Sequence, residues 1–137
     1  MYTIDWIVDG RVLMLRNKGE LSGNDIEALS RDFTKMMSDA VAPLHIIEDD
    51  RELEKVTGLS LNAVREAFKA LDFDKLETAV AIVPDELEQI TDIFGNAWEL
   101  ISDINYERVE TLPEALDYLA KHDATLPDRS EWKLALA

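Results

Sequence analysis

The chain has 137 residues, no cysteine, and 29 acidic against 14 basic side chains, for a formal net charge of −15. That length suits one domain stabilised by burial alone, and fractions of 47% hydrophobic and 31% charged residues mark a globular chain rather than a disordered one. Without cysteine there are no disulfides, thiolate metal sites or cysteine nucleophiles, and so acidic a surface argues against a nucleic-acid partner and against anionic lipid headgroups.

No apolar run approaches the roughly 20 residues of a membrane span, and the opening residues lack the basic-then-apolar pattern of a signal peptide. A cytoplasmic protein is expected. Residues 3–8 and 11–16 are apolar runs joined by Asp9-Gly10, which predicts a β-hairpin closed by a type I′ turn. Ser22 and Asp25 have capping-box spacing, and Ile26, Leu29, Phe33, Met36 and Met37 recur at helical spacing to about Asp39. Beyond Pro43, residues 44–49 read as a buried strand, and Asp50 to Gly58 as a charged loop. Ser60 opens a second helix with Leu61, Val64, Ala67, Phe68 and Leu71 on one face. The continuous apolar run 78–83 has the pattern of a strand covered on both faces.

A third helix is expected from Leu87, Ile90, Phe94, Trp98 and Ile101, a short strand over 104–109, and a fourth helix opened by a second capping box, Thr111 with Glu114. From Ala124 the chain reads as a tail. Trp132, Leu134 and Leu136 alternate in its last residues, so it is expected to dock on the domain or on a second copy. The fold class is therefore α/β: one domain over residues 1–123 with a tail over 124–137. Its sheet of about five strands is mixed and mostly parallel, with an N-terminal hairpin and about four helices.

This order resembles the STAS domain, and more closely the bacterial SpoIIAA-like group described together with Sec14-type lipid-binding domains. The resemblance rests on the hairpin at Asp9-Gly10, the Gly19-Glu20-Leu21 lead into the first helix, the strand at residues 44–49, and the helix start Thr111-Leu112-Pro113-Glu114-Ala115-Leu116. It implies a non-enzymatic binding module, with regulatory protein–protein interaction as its function. The alternative is a carrier or sensor of an apolar small molecule, a lipid or fatty acid, in a Sec14-like pocket. In phosphorylated STAS proteins a paired-serine motif opens the helix after the third strand. The equivalent stretch here is Val56-Thr57-Gly58-Leu59-Ser60, which keeps only Thr57 and Ser60 as phosphorylation candidates.

The expected docking loop comprises Glu52, Glu54, Thr57, Gly58 and Ser60, with Ser60 read first as a helix cap. Phe68, Phe73, Phe94 and Trp98 are the candidates for an apolar pocket, and Trp6 for an edge-strand contact in a homodimer. Glu48, Asp49 and Asp50 are read as solvated loop acids, because neighbours on a strand point to opposite faces. His45 is read as a packed strand residue and His122 as a helix C-terminal cation. No catalytic constellation, metal site, cofactor or glycine-rich phosphate cradle is expected.

Overall fold

The computed structural model describes residues 1–68, 73–83, 98 and 104–133. Its elements are β1 (Tyr2–Val8), β2 (Val12–Ser22), α1 (Gly23–Ser38), β3 (Leu44–Thr57), α2 (Leu61–Phe68), β4 (Leu76–Ile82), β5 (Asn105–Val109) and α3 (Leu112–His122), then a 3-10 turn at Arg129–Glu131. The strands lie side by side in chain order, with β1 antiparallel to β2 and every other neighbouring pair parallel. The hairpin followed by βα units produces this mixed sheet. The helix expected around Leu87 to Ile101 lies outside the described residues except for Trp98, as do Leu134 and Leu136.

Side-chain alternation on the strands separates two apolar layers. Leu13, Leu15, Ile46 and Ala79 face Ile26, Leu29 and Phe33 of α1, Val64 of α2, and Trp98. On the other face Ile7, Met14, Ile47 and Val80 meet Leu116 and Leu119 of α3, and Trp132. Helix α1 starts where expected: the Ser22 hydroxyl accepts from Asp25 N–H, and the Asp25 carboxylate accepts from Ser22 N–H at 2.9 Å. At α3 only half of the expected box forms. Thr111 accepts from Glu114 N–H, but Glu114 takes the Thr111 hydroxyl rather than its backbone N–H.

Two local expectations are corrected. A type I′ turn needs positive φ at both central residues, yet only Gly10 has it, at 73°. Val8 pairs with Val12 and the register shifts between Trp6 and Val8, so a three-residue turn with a bulge supplies the twist instead. The larger correction is the loop expected from Asp50 to Gly58. It is strand: β3 runs on to Thr57, paired with an equally extended β2 through Lys18↔Glu52, Leu21↔Val56 and Ser22↔Thr57.

The physical reason is a pair of bulges. Between Arg16↔Asp49 and Lys18↔Glu52, β3 takes three steps for two on β2, and between Gly19↔Leu53 and Glu20↔Lys55 it takes two for one. Each extra residue breaks the period of two by which a strand is recognised in sequence. The bulges also turn Leu53 inward, where it is buried in the layer under α1 and α2.

Candidate functional site

Three places collect chemistry. The first is an open groove of about 470 Å³ between the start of α1 and α2, lined by Gly23, Ile26, Glu27, Gly58, Ala63 and Glu66 among others. Two glycines shape it. A Cβ on Gly23 would stand 3.2 Å from the Gly58 carbonyl oxygen, and Gly58 turns the chain out of β3 at φ 63°. Gly58→Ala should therefore lower stability by about 1 kcal/mol, visible as a shifted urea midpoint with unchanged slope. No Lys or Arg is among the described lining residues, whereas Glu27 and Glu66 are.

Of the expected docking set, only Gly58 lines this groove. Ser60 lies between the lining residues Leu59 and Ala63 in the chain. It is exposed, and its hydroxyl accepts from Ala63 N–H at 3.1 Å, capping α2. Thr57 donates to Glu20 Oε1 at 2.7 Å. That bond, followed by the charge of Lys55, holds the Glu20 carboxyl below its ordinary range. Glu52 and Glu54 are exposed but sit on the extended strand.

The second place is a buried carboxyl pair. Glu48, Asp49 and Asp50, expected to be solvated, are 2%, 6% and 0% exposed. Asp49 points away from the other two and takes a bidentate bond from Arg51, at 2.9 and 2.7 Å. Glu48 and Asp50, two residues apart and beside the first bulge, turn to each other within hydrogen-bonding reach. Asn17 Nδ2 donates to Asp50 Oδ1 at 2.7 Å, and the Trp98 indole N–H points at Glu48 Oε1 at 3.5 Å.

Small residues on β4 make room for this cluster. One rung across the sheet reads Leu15, Glu48, Ala81, Arg108, and the next Leu13, Ile46, Ala79, Tyr106. Burial pushes the Glu48 carboxyl well above its ordinary range, and the charge of Asp50 adds to this. Burial also raises Asp50, against its bonds to Glu48 and Asn17, and raises the Tyr106 phenol, which feels the Glu48 charge.

The third place joins the start of β3 to the end of α3. His45 is buried, and its Nε2 donates to Asp123 Oδ2 at 2.8 Å. Arg11 reaches the same oxygen at 2.7 Å, and Thr125 N–H donates to Asp123 Oδ1. Burial would raise Asp123, but the bonds from His45 and Thr125 and the Arg11 charge outweigh it and hold the carboxyl at about 2. Glu77 stands 4.0 Å from His45 Nε2, so His45, Glu77 and Asp123 have the donor types of a metal site. The carboxylate oxygen that would ligate already serves Arg11, so the group reads as an ion-paired staple.

Phe33, Phe73 and Trp98 pack together in the core. Phe73 and Trp98 meet edge to face with centroids 5.7 Å apart, and Phe33 meets Trp98 in the same way at 6.2 Å. Phe68 is the last residue of α2, and Phe94 lies outside the described residues. Trp6 is on the edge strand β1, half-buried against the α1 layer. His122 bonds the Tyr118 carbonyl in the last turn of α3. Among the described residues no helix is long and apolar enough to cross a membrane.

No protein-family model matches the chain, and no curated protein matches it by sequence. Solved structures do. The anti-sigma factor antagonist SpoIIAA in its unphosphorylated form superposes with a TM-score of 0.53 at 13% identity, over 88% of this chain and 98% of that one. The Bacillus cell fate determinant SpoIIAA in the phosphorylated form gives 0.53 at 13%, over 87% and 99%. An uncharacterized DUF3478-family protein with a SpoIIAA-like fold from Shewanella loihica PV-4 gives 0.59 at 20%, over 87% and 92%. The chain has a SpoIIAA-like, STAS-type fold.

Proposed function

We propose that this SpoIIAA-like domain is a non-enzymatic regulatory module that docks a protein partner in the groove between α1 and α2. The observation that carries the reading is the groove itself: open, with two glycines and two alanines in its lining, and with Glu27 and Glu66 but no cation among its described lining residues. Small residues admit a close approach of a partner's backbone, and the acids suit a partner segment carrying Lys or Arg. The net charge of −15 steers such a partner from a distance. The fold supports the same reading, since SpoIIAA is an anti-sigma factor antagonist with a phosphorylated form.

Regulation follows from the position of Ser60. A phosphate there adds negative charge beside the groove at the start of α2, which strengthens the pull on a basic segment. Thr57 is the poorer site, because its hydroxyl is bonded to Glu20 and a phosphate would meet that carboxylate. Neither role involves a cofactor or metal.

A photo-crosslinking amino acid in place of exposed Ala63, expressed in the native host, tests the proposal against the same probe at Asp117 on α3. A discrete protein adduct is expected from position 63 alone, weakened when Glu27→Lys is added. Identical adducts from both positions would count against the groove.

A further inference from the structure

Beneath Trp98, three buried acceptors go without a donor among the described residues. They are Glu48 Oε2, Asp50 Oδ2 and Asn17 Oδ1, each sealed from solvent. The donors that do reach the two carboxyls, from Asn17 and Trp98, serve their other oxygens. Two ionised carboxylates in contact and out of water would repel strongly while each kept an empty acceptor. One proton between them removes the repulsion and supplies the missing donor. A metal ion is a poorer fit, because among the described residues no third His, Cys, Asp or Glu side chain joins the two carboxyls.

We propose that Glu48 and Asp50 form a buried proton-binding site, which holds one proton between them at neutral pH and ties the setting of Trp98 to its occupancy. Among the described residues, the groups that face the pair are few. Tyr106 and Arg108 approach from β5, Asn17 from β2, and Asp49 acts through β3 from the opposite face. The buried residues of α1 and α2 in this layer are apolar. Arg108 favours the singly charged pair, since it lowers the cost of one negative charge but cannot balance two. Trp98 reports the change because its indole N–H points at Glu48 Oε1, whose charge grows when the proton leaves.

The test is fluorine NMR of protein labelled with 5-fluorotryptophan, with the Trp98 signal assigned through Trp98→Phe. Over about pH 4 to 9, that signal should move in one step, centred well above the ordinary glutamate range. Glu48→Gln should abolish the step, because its amide donates permanently to Asp50. Asp50→Asn serves as the second variant. In the unmutated protein, carboxyl carbon shifts should show one protonated Glu or Asp side chain near pH 7, whatever the variants do. A flat Trp98 signal, or a step that survives in both variants, overturns the proposal. So does a signal that ignores pH and moves with added calcium or magnesium, which would make the cluster a cation site.

Discussion

Trp132→Ala should destabilise the protein by about 3–5 kcal/mol and lower its melting temperature by roughly 10–20 °C. Trp132 is 5% exposed, although it stands ten residues beyond the end of the last helix, α3. Its ring lies in the layer with Ile7, Val12 and Met14, and its indole N–H donates to the Pro127 carbonyl at 3.0 Å. The next residue, Lys133, donates its backbone N–H to Ile7 at 2.8 Å, and its ammonium reaches Asp9. Truncation to Ala leaves a cavity over the hairpin and loosens this return of the chain. Thermal denaturation measures it. A loss under about 1 kcal/mol would mean that the layer closes without Trp132.

Asp123→Ala should cost a similar amount, about 3–5 kcal/mol, for a different reason. It strands the Arg11 guanidinium and the buried His45 imidazole, which share Asp123 Oδ2. Breaking one side of a buried ion pair is far more costly than never having built it. The pH dependence distinguishes this group from the Glu48–Asp50 pair. Asp123 is held at about 2 in the folded chain, so its contribution is complete above the ordinary aspartate value near 4 and disappears as pH falls through 2.

Glu48 acts in the opposite sense. Its folded value is raised, so its contribution is greatest in acid and is lost as pH rises above the ordinary glutamate range. The protein should therefore be most stable on the mildly acidic side of neutrality. Urea titrations of Asp123→Ala should show a weaker dependence on pH below about 4.

Much of the architecture was legible because local signals agreed with the fold. The hairpin at Gly10, the Ser22–Asp25 box and the apolar period of α1 each specify their element without help from afar. The second half of β3 was not legible. Two bulges break its alternation, and the exposed charges of Arg51, Glu52, Glu54 and Lys55 give it the composition of a loop. Only pairing with β2 makes it strand.

The site suffered from the same cause. Placing sequence neighbours on opposite faces holds for Asp49, but Glu48 and Asp50 are two apart and meet. A signal for the pair existed: two acids spaced by one residue at the end of an apolar strand, with Ala79 and Ala81 leaving space on the next. The His45–Asp123 bond spans 78 positions, and no local pattern announces it. The groove joins residues from α1 and from the β3–α2 connection. Their closeness depends on Gly23 and Gly58 meeting, which the sequence does not encode locally.

The most direct test of partner docking is the affinity of the purified cross-linked partner for wild-type protein and for Glu27→Lys and Ala63→Arg variants at low and moderate salt. The groove account predicts at least a tenfold loss for each variant, or about 1.4 kcal/mol, and weaker binding as salt rises. Equal affinities across all three proteins, indifferent to salt, would contradict it.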